Sequence, residues 1–195
     1  MKNLILIGSG GHAASCIDVI ESTKKYKIVG VLCDKRKIGE KLLGYKVIGR
    51  LYDLKKFRRK CSNIVIGIGQ LSSPKTRIKI FEKCKKLNYN LPTIISSKSL
   101  VSKHSKIGEG TIVHHMAIIN ANCNVGFNCI INSKSLIEHD VKIGNNCHIS
   151  TNSIINGSCI VDKNTFIGSS AVLNNNISVS KKKFIKLGSI VKKSI

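Results

Sequence analysis

The sequence predicts an α/β domain of Rossmann-like type followed by a left-handed parallel β-helix built from hexapeptide repeats, and three observations carry that prediction. From Ile95 to Val191 every sixth residue is aliphatic, and all of them but Leu173 are β-branched. Four residues after each stands a mostly small residue, among them Ser99, Thr111, Cys123, Cys129, Cys147, Cys159 and Ala171; this second column fails only at Ile177 and Lys183. Ahead of the repeat, Leu4-Ile5-Leu6-Ile7 runs into Gly8-Ser9-Gly10-Gly11-His12-Ala13. Because the period begins halfway along a chain of 195 residues, two domains are expected, 1–92 and 93–195.

Taken in order, Leu4–Ile7 reads as a buried strand entering a glycine turn. Ala13, Cys16, Ile17 and Ile20 then share one face of a helix. Strand, glycine turn and helix bring backbone N–H groups and a helix N-terminus to bear on a phosphate. Gly8, Gly10 and Ala13 satisfy the G-x-G-x-x-G/A form. A second strand, 28–32, ends in Cys33-Asp34-Lys35, about where a ribose-binding acid belongs. A third, 64–68, ends in Gly69-Gln70, and Pro74 precedes a helix over about 76–87. NAD binding is one reading of this domain. Some ninety residues is short for the two mononucleotide halves a dinucleotide needs, so a nucleotide-sugar pocket is favoured.

The second half follows from its period. Six fits neither a helix nor an alternating strand. It fits a chain that makes a short strand, turns a corner and makes another, with three edges to a coil of eighteen residues. Coils stacked at strand spacing give a prism roughly 24 Å tall for five coils. Cys123, Cys129, Cys147 and Cys159 all fall in the small-residue column, where cysteine acts as a compact hydrophobe. With no C-x-x-C anywhere, reduced thiols in a cytoplasmic protein are expected.

The net charge of +23 would ordinarily raise nucleic acid as a partner. The basic residues are scattered, 22 against 6 acidic up to residue 100 and 11 against 4 after it, with no Trp and little aromatic interleaving. A solvated lysine-rich surface is expected, or a field that attracts anionic small molecules such as nucleotides and CoA. The apolar run at the N-terminus is too short for a signal peptide, and no stretch is long and apolar enough to span a membrane.

Residues eighteen apart stack in successive coils. His139 therefore lies between Ala121 and Gly157 near a corner, with small neighbours on both sides and with Glu138 and Asp140 flanking it. His148 falls in another column, between Ile130 and Phe166. A neutral imidazole takes a proton from an amine or hydroxyl attacking an acyl group, and a carboxylate fixes its tautomer. His104, His114 and His115 read as surface residues.

Gly8-Ser9-Gly10-Gly11-His12, the run from Asn132 to Gly144 containing Glu138-His139-Asp140, then Cys147-His148-Ile149-Ser150 and Gly157, resemble the sugar acetyltransferases of the NeuD/PglD type. That family includes sialic acid O-acetyltransferases and N-acetyltransferases of UDP-4-amino-sugars, and the likeness covers nearly the whole chain. The resemblance implies a homotrimer with active sites between subunits, acetyl-CoA lying along the prism and a nucleotide sugar held by the N-terminal domain. It implies His139 as general base with Asp140 as its carboxylate partner. His148 and Gly157 would line the thioester end of acetyl-CoA, with Ser169 further along. Gly10, Gly11, His12, Asp34, Lys35 and Gly69 would hold the nucleotide, and Asn132 would lie near the acceptor. No metal is expected.

Two departures from the family pattern stand out. Cys33 replaces an acid beside Asp34, and Gly188-Ser189-Ile190-Val191-Lys192 replaces a Gly-x-Pro-Ala-Lys tail. Direct N-acetyl transfer without an acyl-enzyme is the expected reaction, with O-acetylation the near alternative. A β-helix zinc enzyme of carbonic anhydrase type and a non-catalytic nucleotide-sugar-binding protein are the alternatives of other classes.

Overall fold

A computed structural model of the chain describes residues 1–71 and 73–195. The chain divides into two compact units, Met1–Gly69 with Lys75–Pro92, and Gln70–Pro74 with Thr93–Ile195. The first unit ends at Pro92, just ahead of the first aliphatic of the period at Ile95. The segment 70–74 departs from the expected division because Gln70 is tied to the repeat unit. Its Nε2 donates to the Asn146 carbonyl at 3.1 Å, and its own carbonyl accepts from His148 Nδ1 at 2.5 Å.

The first unit contains β1 (Lys2–Ile7), α1 (Gly11–Ser22), β2 (Tyr26–Leu32), β3 (Lys41–Leu42), β4 (Tyr45–Gly49), a 3₁₀ turn (Leu51–Asp53), α2 (Leu54–Arg58), β5 (Asn63–Ile66) and α3 (Lys75–Lys86). The sheet order is β3-β4-β2-β1-β5, parallel except for β3. The direction of winding reverses between β1 and β5, the switch point outside which α/β sheets bind ligands. Leu4, Leu6, Ile7, Ile17, Ile20 and Ile64 form its core.

The third strand is shorter than the sequence suggests. Arg77 on α3, itself buried, donates to the carbonyls of Ile66 at 2.5 Å and Ile68 at 3.0 Å, taking acceptors that a longer ladder would use. Gly67 marks the departure: a Cβ there would meet the Ile7 carbonyl oxygen at 2.9 Å and Ala13 Cα at 3.0 Å.

The second unit is a triangular parallel β-helix of two-residue strands from Ile94–Ile95 to Ile190–Val191. They form three parallel sheets, six, six and five strands deep, each strand pairing with those eighteen residues before and after it. The first face holds Ile112–Val113, Ile130–Ile131 and His148–Ile149, the second Ile118–Ile119, Leu136–Ile137 and Ile154–Ile155, and the third Asn124–Val125, Lys142–Ile143 and Ile160–Val161. The aliphatic column from Val113 to Val191 points inward as expected, with Cys123, Cys129, Cys147 and Cys159 buried beside it. Val101 and Ile107 are only partly buried, and Ile95 in the first coil is exposed.

A third column was not read from the sequence. The residue just before each small one takes a left-handed backbone in most coils: Asn122, Asn128, Asp140, Asn146, Asn152, Asn164 and Asn176 all have φ between 55° and 63°. Asn and Asp tolerate this conformation through local hydrogen bonding, which explains their recurrence at that position.

The outward columns differ by face. The second face presents Leu100, Ile118, Leu136, Ile154, Val172 and Ile190, all at least partly exposed, whereas the third presents Lys106, Asn124, Lys142, Ile160 and Ser178. Among the described residues no helix is long and apolar enough to cross a membrane.

Candidate active site

The most reactive geometry lies at the corner between the second and third faces. His139 and Asp140 follow strand Leu136–Ile137, and their side chains are 59% and 47% exposed. His139 Nδ1 lies 2.7 Å from Asp140 Oδ2. A carboxylate only accepts, so Nδ1 carries the proton and Nε2 is left with its lone pair. Asn122, one coil earlier, donates to the other oxygen, Oδ1, at 2.5 Å. The hydrogen bonds from His139 first and Asn122 second hold the Asp140 carboxyl below its ordinary value. Glu138, the other flanking acid, instead accepts from Asn120 at 2.9 Å.

Gly157 stands one coil above, and the His139 ring packs into the place its side chain would take. A Cβ there would meet His139 Cε1 at 2.7 Å and Nε2 at 2.8 Å. The stack is locked through the backbone, since Ser158 N–H donates to the His139 carbonyl at 3.0 Å and Asp140 N–H to Ala121 at 3.1 Å. The corner thus supplies an oriented general base with an uncrowded approach.

His148, Asn132 and Ser169 gather elsewhere, on the first face and at the corner between the first and second. His148 is 4% exposed, stacked edge-on against Phe166 at 5.1 Å. With its Nδ1 donating to Gln70, its Nε2 faces Asn132 Nδ2 at 3.4 Å. Ser169 Oγ pairs with Ser150 Oγ at 2.9 Å. Along one chain these residues and the His139 corner occupy opposite edges of the aliphatic second face.

His114 is buried rather than on the surface. It opens the same corner as Ser96, Asn132 and Ser150, a column that is buried or half-buried from Ser96 to Gly168. His115 remains half-buried and pairs through Nδ1 with Ser96 Oγ at 2.6 Å, while His104 is exposed.

In the first unit, Gly10 caps α1 with no side-chain hydrogen bond, and neither Gly10 nor Gly11 has anything within 4 Å of where a Cβ would sit. The first-turn N–H groups therefore open outward beside the switch point. A Cβ on Gly69 would touch His12 at 3.4 Å, so His12 and Gly69 adjoin there. Asp34 and Lys35 are exposed at the carboxyl end of β2, Asp34 Oδ1 accepting from Leu51 N–H at 3.1 Å. Cys33 is buried and faces the core.

Two arginines were missed from sequence. Arg36 Nε donates to the Ser9 carbonyl in the glycine turn at 3.3 Å, and Arg50 Nη1 donates to the carbonyls of Cys33 at 3.1 Å and Arg36 at 2.6 Å. Arg50 follows β4, a strand whose short, lysine-broken run gave no signal.

Comparison places these units in a known class. Residues 3–84 match the PglD N-terminal domain, and 122–157 and 140–175 match the bacterial transferase hexapeptide of six repeats. Among solved structures, the acetyltransferase domain of PglB from Neisseria gonorrhoeae is 22% identical, with a TM-score of 0.93, covering 100% of this chain and 93% of that one. PerB from Caulobacter crescentus, in complex with CoA and GDP-perosamine, is 23% identical with a TM-score of 0.92, covering 100% and 91%. WeeI from Acinetobacter baumannii is 19% identical at 0.86, covering 100% and 93%. No curated protein matches by sequence. The chain is a two-domain hexapeptide-repeat protein. More narrowly, it joins a PglD N-terminal domain to those repeats.

Proposed function

We propose that this protein transfers the acetyl group of acetyl-CoA to the amino group of a nucleotide-linked amino sugar, for use in surface glycan synthesis. The observation that carries the reading is the exposed His139–Asp140 pair, whose ring lies against Gly157 with Nε2 unprotonated. The amine attacks the thioester carbon while His139 Nε2 removes its proton. The C–S bond then breaks, and the CoA thiolate takes that proton from His139. Asp140 keeps Nδ1 protonated and offsets the charge on the imidazolium. The PerB complex with CoA and GDP-perosamine, on the same fold, supports both substrate classes.

Gly10, Gly11, His12 and Gly69 at the switch point, with Asp34 and Lys35 beside them, hold the nucleotide. The single small parallel sheet suits a mononucleotide better than a dinucleotide.

The working form is a homotrimer joined through the aliphatic second face. Leu100 and Ile190 are 66% and 64% exposed on that face, and six aliphatic side chains in a column are an unmet apolar surface. Packing three such faces around one axis brings the His139 edge of each copy to the opposite edge of the next. That would unite His139, Asp140 and Gly157 of one subunit with Asn132, His148 and Ser169 of its neighbour around acetyl-CoA. His148, being buried, then acts by fixing Asn132 rather than by touching the thioester. Eight buried free thiols are in keeping with a cytoplasmic protein.

The test is release of CoA thiol from acetyl-CoA with a panel of UDP-, dTDP-, CMP- and GDP-linked amino sugars. Release with an amino sugar and none with its hydroxyl analogue is expected. Absence of release across the panel sinks the activity. Leu136→Glu should dissociate the assembly in light scattering while Lys142→Glu leaves it intact.

A further inference from the structure

Above the base, the column that contains Ala121, His139 and Gly157 continues to Asn175, one coil further on. Asn175 is exposed, and no hydrogen bond of its carboxamide is found among the described residues. By contrast, the carboxamides of Asn120, Asn122 and Asn156 at the same corner are bonded to Glu138, Asp140 and the Leu173 carbonyl. The Asn175 side chain leans back over Gly157: its Nδ2 lies 3.3 Å from the point a Gly157 Cβ would occupy, and His139 Nε2 lies 2.8 Å from the same point. A proton acceptor and a neutral proton donor therefore both come close to one point beside Gly157.

We propose that Asn175 is a catalytic residue whose Nδ2–H donates to the thioester carbonyl oxygen of acetyl-CoA. The inference rests on the acetyltransferase reading above and goes beyond it. As the amine nitrogen bonds to the carbonyl carbon, the π pair moves onto oxygen, and that oxygen turns toward Asn175. His139 Nε2 takes the amine proton on the other side. When the pair returns, the C–S bond breaks and the departing thiolate receives the proton from His139, leaving amide and CoA thiol. The glycine at 157 is what allows base and donor to reach one carbonyl. A donor aimed at developing charge favours the transition state over the ground state, where the carbonyl carries little charge.

The experiment binds acetyl-CoA labelled with carbon-13 at the carbonyl to wild type, Asn175→Ala and His139→Ala, and reads the thioester stretch by isotope-edited infrared. No acceptor is needed. The wild-type carbonyl should absorb below its frequency in free acetyl-CoA. In Asn175→Ala it should return toward the free value, and in His139→Ala it should stay low. Dissociation constants for CoA lacking the acetyl group should be alike in all three. With the acceptor identified by CoA release, Asn175→Ala should lower kcat about 10²- to 10³-fold with the pH profile unmoved.

An unchanged carbonyl frequency in Asn175→Ala overturns the assignment. So does equal weakening of CoA and acetyl-CoA, which would place Asn175 on the pantetheine arm. Failure of wild type to bind acetyl-CoA sinks the acetyltransferase reading itself, a separate result. Retention of the wild-type melting temperature by Asn175→Ala excludes misfolding as the cause of any loss.

Discussion

Two corners of the same coil show what the fold requires and what it does not. At the corner between the third and first faces, Asn128, Asn146 and Asn164 hold the left-handed positions and bond to one another in a ladder, at 2.8 Å and 3.2 Å. The corner glycines there are structural: a Cβ on Gly144 would meet Lys163 N at 2.6 Å, and one on Gly108 Phe127 N at 2.6 Å. At the corner between the second and third faces the backbone is the same, but Asp140 replaces an asparagine in the ladder and His139 stands out beside it. Its glycine, Gly157, abuts a ring rather than a backbone. Asparagine alone would turn this corner, so the carboxylate, the imidazole and the glycine that clears it are surplus to folding.

The largest effect that separates the two corners is on turnover. His139→Ala should lower kcat by about 10²–10⁴ with the melting temperature unchanged, because the ring is open to solvent and has only small neighbours in its column. Steady-state kinetics beside a thermal melt makes the check, and activity within a few-fold of wild type would remove the base assignment.

Gly157→Ala comes next. The new methyl would sit 2.7–2.8 Å from the His139 ring, so the ring must swing aside, and a displacement of about 1 Å costs roughly 10²-fold in rate. The same change at Gly144 presses on backbone that cannot swing, so it should lower stability and spare kcat. If both glycines gave the same phenotype, the distinction between the corners would fail.

Asn146→Ala tests the structural corner. It strips Asn128 Nδ2 of its acceptor and Asn164 Oδ1 of its donor, at about 1–3 kcal/mol for a buried group left unpaired. It also puts alanine at φ 58°, which costs about 1–2 kcal/mol more. Chemical denaturation should register the loss while kcat under native conditions stays put.

This contrast also explains what could be read from the sequence. The inward columns were legible because packing at a fixed period leaves no alternative to an aliphatic at Ile137, Ile143 and Ile149. His139 over Gly157 followed from counting eighteens. The left-handed asparagine column escaped because Met116, Lys134 and Lys182 interrupt it, and because a backbone requirement shows as a preference rather than an identity. The burial of His114 and His148 escaped for a different reason. Period gives a residue's column, but which face is covered depends on chain far away, such as Gln70. In the first unit, β3 and β4 are too short and too lysine-rich for alternation to show, which hid Arg50.

The smallest effect concerns acid stability and turns on Asp140 alone. Asp140→Asn keeps a residue suited to φ 63° and keeps a partner for Asn122, so at neutral pH the fold should lose only the small contribution of the charge. The wild-type carboxyl is held below its ordinary value by His139 and Asn122, whereas in the unfolded chain it returns to about 3.9. A depressed folded value means the carboxylate's contribution is complete above the unfolded value and is lost as pH falls through the folded one. The difference in melting temperature between wild type and Asp140→Asn should therefore be flat from pH 7 to about 4 and shrink below that. It stays small because the carboxylate is open to solvent. Asn122→Ala removes the second of the two bonds, so in that background the difference should be smaller and its loss complete at a higher pH. A difference that widened below about pH 4 would mean that Asp140 is not held ionised by its neighbours, and the carboxylate at this corner would then be no more than another left-handed ladder residue.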